Sequence, residues 1–370
     1  MNILLDFGAI VSGGGAQLAL NFLDHMKKRG GTAKHSFFLL IPETGPLANM
    51  DFSNQYSGIY KTPKPYLRRI IFEHTKLQNI LKTNNIQRVY TFFGAGIPCP
   101  KGIESIVTVA YPIICYPDSP YWKYVPLKKK YPKLVVNYFR RKRLKASSRI
   151  IAETEVMKER LIRALNYNSQ NINIIPPAPS EYVSPVEYNP NSETGKFLFL
   201  SGCDPHKNLW ILQNLAKDFV SKGWRDFKFI LTVKKESYIN SLKEPADHEI
   251  LNNHFEFVGT IHPREIQSVY AKCDFLMIPS DLESFSNNYM EAWKAGIPII
   301  ASNRDFAKHI CGDSAIYIEP HDISATSSKL ISVAKDNNLK IKLIEAGKSK
   351  LSTLHNTSDR SEKILDIILS

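Results

Sequence analysis

Residues 275–303 read FLMIPSDLESFSNNYMEAWKAGIPIIASN, and two apolar runs, FLMI at 275–278 and IPIIA at 297–301, frame a polar loop and one short helical stretch. Four or five apolar residues without alternation are what a strand buried on both faces of a parallel sheet requires. Gly296 stands where a helix C-terminus takes a left-handed residue. Glu283 falls in the loop and Glu291 eight residues on, at or just inside the helix start. Both side chains can therefore reach one crevice at the carboxyl end of a strand, which is where open parallel sheets bind ligands. Each acid also has a plain reading. Asn288 followed three residues later by Glu291 has the spacing of a capping box, and Glu283 alone would pass for a solvated loop acid.

Upstream, residues 196–201 form another apolar strand, followed by Gly202-Cys203-Asp204-Pro205-His206-Lys207-Asn208 and a helix over 209–219. A lysine in a strand-to-helix turn reaches phosphate oxygens as a point charge. Strands are predicted at 227–233 and at 255–258, the latter ending in Gly259-Thr260. A helix at 264–271 leads into the central stretch, and a strand at 315–318 follows it. The tail ends in a helix over about 359–369.

Glu, seven intervening residues, Glu, then Ala-x-x-x-Gly-x-Pro and an apolar strand, with Lys207-Asn208 before them, resembles the retaining glycosyltransferases of family 4. The resemblance implies the GT-B fold: α/β, two facing Rossmann-like domains with parallel sheets, and a C-terminal helix crossing back to the first. It also implies sugar transfer from a nucleotide-diphosphate donor to a saccharide hydroxyl, with anomeric configuration retained. Glu291 would accept from the ribose hydroxyls and Glu283 would contact the sugar ring. Lys207, beside Gly202, would clamp the diphosphate. Backbone N–H groups around Phe285, Ser286, Asn287 and Asn288 would face the same phosphates, and Gly259 and Thr260 would lie near the base. Two departures stand out. Cys203 follows Gly202 where the family carries Arg, and Val109-Ala110-Tyr111-Pro112 lacks the His the family often places there, leaving Asp118 as a nearby polar candidate.

In the first half, strands are predicted at 2–7, 35–41, 88–93, 106–109, 149–154 and 172–175, alternating with helices at 16–28, 66–83 and 155–165. Ser12-Gly13-Gly14-Gly15 lies in the first strand-to-helix turn, where N–H groups at a helix start attract anions. The resemblance puts Gly14 and Gly15 beside the donor diphosphate and the acceptor. Residues 176–179, PPAP, mark the domain boundary. The expected division is 1–179, an acceptor domain; 180–195, a linker; 196–352, a nucleotide-sugar domain; and 353–370, the returning helix.

A chain of 370 residues exceeds one ordinary core. Its five cysteines are scattered and its acids show no Asp-x-Asp, so no disulfide framework, cofactor or metal is expected. No leader or spanning segment is legible, which makes a cytosolic protein the expectation. Residues 1–180 carry 26 Lys and Arg against 10 Asp and Glu, a net +16, whereas 181–370 carry 22 against 25, a net −3. Residues 121–149, YWKYVPLKKKYPKLVVNYFRRKRLKASSR, concentrate that charge among aromatics. They read either as a helix on an anionic membrane surface, serving a polyprenyl-diphosphate-linked saccharide acceptor at the inner face of the cytoplasmic membrane in O-antigen or capsule assembly, or as a helix whose apolar face packs on its own domain. A basic nucleic-acid-binding protein would explain the charge too, but no nucleic-acid motif is legible, and no nucleic-acid partner is expected. A non-catalytic sugar-nucleotide-binding module is the remaining alternative.

Overall fold

The computed structural model describes residues 1–11, 13–30, 34–52 and 55–370. The chain divides into two compact units: residues 1–117, 127–177 and 355–370 form the first, and 118–126 with 178–354 the second.

The first unit holds a seven-stranded sheet of β1 (Asn2–Asp6), β2 (Ser36–Pro42), β3 (Gly58–Thr62), β4 (Arg88–Thr91), β5 (Glu104–Val109), β6 (Arg149–Ala152) and β7 (Ile172–Ile174). Its order is β3-β2-β1-β4-β5-β6-β7, and every pairing is parallel. The apolar runs of β1 and β2, and the buried β5, suit a sheet covered on both faces. β3 escaped the sequence reading because it is an edge strand whose residues alternate between exposure and partial burial. The helix expected over 66–83 is two helices, Tyr66–His74 and Lys76–Thr83. Thr75 breaks it at φ −121° and ψ −87° while its hydroxyl donates to the Ile71 carbonyl at 2.7 Å. One core packs Phe7, Phe22, Tyr90 and Phe92 with Ile364, Leu365 and Ile368 of the last helix, Thr357–Leu369. Glu362 of that helix pairs with His25 at 3.0 Å and Arg29 at 2.9 Å.

The second unit holds β8 (Gly195–Phe199), β9 (Phe227–Leu231), β10 (Phe255–Phe257), β11 (Phe275–Ile278), β12 (Ile299–Ser302) and β13 (Ala315–Ile318). Its order is β10-β9-β8-β11-β12-β13, again all parallel. Its core is aromatic, with Phe197, Phe219, Trp224, Phe227, Phe229 and Phe275 in mutual contact.

The units depart from the expected division in two places. Residues 118–126 are flanked by first-unit chain yet pack with the second unit. The stretch 180–195, whose Pro, Ser and Asn content reads as a free linker, is pinned to the second unit instead. Val183 is fully buried, the Ser184 N–H donates to Gln267 Oε1 at 2.8 Å, and the Val186 N–H donates to the Ala295 carbonyl at 2.9 Å.

A Cβ at Gly195 would stand 2.3 Å from the Trp224 ring, so the indole occupies the space that any other residue's side chain would need. Gly195→Ala is expected to lower unfolding stability by about 1–3 kcal/mol, the cost of overpacking a filled core. Urea denaturation checks this, and an unchanged midpoint would refute the packing argument.

Candidate active site

In the second sheet the strand order reverses between β8 and β11, and the loops leaving their carboxyl ends meet at this switch point. Lys207 comes from the first loop and Glu283 from the second, and Lys207 Nζ donates to Glu283 Oε1 at 2.5 Å. Both side chains are largely buried. Lys207 closes a short 3-10 turn, Pro205–Lys207, and Asn208 after it adopts a left-handed conformation at φ +57°. Asn tolerates that region better than other residues with a Cβ. Its Nδ2 donates to the Pro279 carbonyl and to Asp281 Oδ2, both at 2.9 Å, which ties the two loops together.

Glu291 lies in the second turn of the helix Asn287–Ala295, which ends, as expected, at a left-handed Gly296 with φ +76°. The capping box is absent. Ser286, not Asn288, is the N-cap, and it makes no side-chain capping bond. Asn288 instead donates from Nδ2 to the Leu200 carbonyl at 2.6 Å, joining the helix start to the end of β8. Glu291 is thus free of any capping duty, and Oε2 accepts from Tyr270 Oη at 3.2 Å. Burial pushes its carboxyl up to about 7, against the opposing influence of the Tyr270 bond and Lys294. The first N–H groups of a helix have no intrahelical acceptor, so those at Asn287 and Asn288 suit an anion.

The remaining sequence-predicted residues are dispersed. Gly202 is exposed, with nothing closer than 3.9 Å to where its Cβ would be. Gly259, at φ +74°, and exposed Thr260 follow the edge strand β10 at the same sheet end, with no hydrogen bond to the Lys207–Glu283 pair. Cys203 cannot stand in for a cation, since a thiol is neutral or anionic, and burial and Asp204, which raise its pKa, keep it neutral. Gly14 and Gly15 belong to the first unit, where they lie inside the first turn of the helix Gly13–Arg29 rather than in the loop before it. Ser12 lies outside the described residues. Asp118 is exposed on the second unit, and Tyr111 of the first lies under the Arg140 guanidinium at 4.2 Å.

Sequence reasoning passed over Tyr270, Asp281, Arg304 and His321. Asp281, 1% exposed, accepts from Arg304 Nη2 at 2.8 Å and from His321 Nε2 at 2.7 Å. The only signal was an acid two residues before Glu283, since its partners lie up to 73 positions away. Among the described residues, no group of three or more His, Cys, Asp and Glu is gathered as a metal site would need.

Two parallel Rossmann-ordered sheets, the second with a charged pair and a buried acid by its switch point, define the GT-B class. In its second unit, residues 184–350 match the model of the family described as glycosyl transferases group 1. Among curated relatives, the O-antigen chain mannosyltransferase B of Escherichia coli is 20% identical over 261 residues, 67% of this chain and 66% of that one. The chain thus spans just under two thirds of that relative's length. Among solved structures, WaaG, a glycosyltransferase involved in lipopolysaccharide biosynthesis, superposes with a TM-score of 0.73 at 14% identity, over 100% of this chain and 99% of its own. HepE of Anabaena, in complex with UDP and glucose, gives 0.69 at 14% identity with the same coverage. At these identities the structural likeness is one of fold.

Because the folded Glu291 carboxyl titrates near 7 rather than the ordinary 4.5, protonation favours the fold. This stabilisation is full below about pH 4.5 and is lost as pH rises through about 7. Glu291→Gln, a neutral isostere, is expected to remove that loss and to exceed wild type at pH 8 by an amount on the order of 1–3 kcal/mol. Parallel urea titrations at pH 5 and 8 measure it. An identical pH dependence in the two proteins would assign the titration elsewhere.

Proposed function

We propose that this chain transfers a sugar from a nucleotide-diphosphate donor to a hydroxyl of a saccharide acceptor, with retention, during assembly of a surface polysaccharide of the O-antigen or lipopolysaccharide type. The observation that carries the reading is the Lys207–Glu283 pair at the switch point with buried Glu291 beyond it. Lys207 exchanges its carboxylate for the donor diphosphate. Glu283, released, holds hydroxyls of the transferred ring, and Glu291 accepts from the ribose. Negative charge developing on the departing phosphate meets the Lys207 ammonium and the N–H groups at Asn287 and Asn288. The reading assigns no protein nucleophile: the acceptor attacks from the face the phosphate leaves, and the phosphate takes its proton. No metal ion or cofactor is part of this reading. The names of the Escherichia coli relative and of WaaG support the polysaccharide context, and the HepE complexes support a UDP-sugar as one donor to test.

Glu283→Gln is expected to cut turnover by about ten- to a hundredfold, the cost of a lost hydrogen bond to a charged group, with a smaller effect on donor affinity. Glu291→Gln is expected to weaken donor affinity more than turnover. Turnover and isothermal titration with UDP-, GDP-, dTDP- and ADP-sugars, run with and without excess EDTA, test both. Wild-type behaviour in both variants would refute the site, and loss of activity in EDTA would refute the metal-free reading.

The acceptor is proposed to be polyprenyl-linked and presented at an anionic membrane surface, and one observation favours this. The helix Leu127–Lys145 buries only Asn137 and Leu144, while Leu127, Tyr131, Leu134, Val135, Tyr138 and Phe139 are 43–66% exposed. Its apolar side chains therefore face out, among exposed Lys128, Lys129 and Lys142. Arg141 and Arg143 face in, to the Ile114 carbonyl at 2.7 Å and to Glu73 at 2.7 Å. Leu67 and Ile71 add exposed apolar area on the helix that carries Glu73. Apolar residues ringed by cations fit the headgroup boundary of an anionic bilayer, where each basic side chain contributes about 1 kcal/mol. No helix of the described residues is long and apolar enough to cross the bilayer. Sedimentation with vesicles of phosphatidylglycerol is expected to retain wild type and to lose a variant with Ser at Val135, Tyr138 and Phe139 and Gln at the three lysines. Equal sedimentation of the two would refute the surface.

A further inference from the structure

We propose that Asp281 is the positioning residue of Lys207, holding the loop that carries it so that the ammonium faces the donor diphosphate. The proposal rests on the assignment of Lys207 to the diphosphate, and it adds a residue that touches neither donor nor acceptor.

Lys207 is held from both sides by one residue. The backbone carbonyl of His206 before it accepts from the Asp281 N–H at 2.8 Å. The side chain of Asn208 after it donates to Asp281 Oδ2 at 2.9 Å. Two residues beyond Asp281 on the same loop stands Glu283, the partner of Lys207. The loop from the end of β8 to Asn208 has no sheet partners, so these bonds set where a long, flexible lysine stem begins.

Asp281 is itself fixed. Oδ1 accepts from Arg304 Nε at 3.2 Å and Nη2 at 2.8 Å, and Oδ2 accepts from His321 Nε2 at 2.7 Å as well as from Asn208. Arg304 is braced in turn by Glu319 at 2.6 Å. Arg304 follows β12 and His321 follows β13, so loops from four strands converge on one carboxylate. A buried carboxylate costs free energy unless it is fully hydrogen-bonded, and this one is. Burial by itself would raise its pKa, but the bonds from His321, Asn208 and Arg304 hold it below the ordinary value. Asn208, which also donates to the Pro279 carbonyl, is the donor among these that adjoins Lys207 in the chain.

Asn208→Gly separates positioning from folding. Glycine keeps the left-handed backbone at φ +57° without strain but loses both Nδ2 bonds, to Asp281 and to the Pro279 carbonyl. Asn208→Gly and Asp281→Asn are each expected to lower kcat/KM for the donor about tenfold, assayed at a temperature at which a thermal scan shows each variant folded. The decisive readout is the double-mutant cycle with Lys207→Met. Removing the lysine is expected to cost at least fivefold less in kcat/KM in the Asn208→Gly background than in wild type. An equal cost in both backgrounds overturns the proposal while leaving Lys207 in its role. A silent Lys207→Met in wild type overturns the diphosphate assignment and the proposal with it. If Asp281→Asn does not fold, the Asn208→Gly cycle alone decides.

Discussion

Parallel pairing of every strand is the constraint on which the rest depends. Parallel strands cannot be joined by tight hairpins, so each connection crosses a face of the sheet and each new loop leaves from the same edge. In the second unit this brings Gly202 to Asn208, Pro279 to Ser286, Arg304 and His321 to one end of one sheet. Chemistry supplied by residues more than seventy positions apart is therefore a product of topology. The same constraint requires helices on both faces, which is why inner strands such as β11 (FLMI) are apolar and fully buried.

Three buried acids near this sheet edge are handled differently, and their chemistry follows from the difference. Asp281 is saturated with donors and held ionised. Glu283 pairs with the Lys207 ammonium, the partner that the proposed function hands to the donor phosphate. Glu291 has one neutral donor, Tyr270, and burial raises its pKa into the neutral range. On the proposed reading, the gradient from fully paired to barely paired runs from scaffold to donor. A polar group left short of partners in the free protein is one that a substrate hydroxyl can satisfy.

Much of the fold was legible where a local signal sufficed. The helix Glu155–Leu165 was readable because Thr154 caps it, accepting from the Met157 N–H at 3.1 Å, and Asn166 ends it in a left-handed turn. β11 and β13 were readable as apolar runs. The edge strand β3 and the helices Lys235–Ile239 and His248–His254 were not, being short and too polar to show a period. At the site, the spacing of Glu283 and Glu291 was visible but their surroundings were not. Asn288 has the spacing of a cap, yet it spends its amide on a carbonyl 88 positions away. The raised pKa of Glu291 comes from tertiary burial, which no local pattern encodes. Of the two readings of the basic helix, packing of its apolar face on its own domain is not what the structure shows, since Asn137 is buried while Leu134, Val135, Tyr138 and Phe139 are exposed.

The division of the chain has a consequence for how the protein is made. It passes between units four times, after residues 117, 126, 177 and 354. A ribosome that has released residues 1–177 has not yet supplied Ile364, Leu365 and Ile368, which complete the core around Phe22 and Tyr90. The second unit, for its part, draws Tyr124, stacked on His321 with centroids 4.5 Å apart, from chain made long before its sheet exists. Neither unit is a contiguous cassette, so the core of the first is completed only when residues 355–370 have been supplied, and the order of synthesis is not the order of completion.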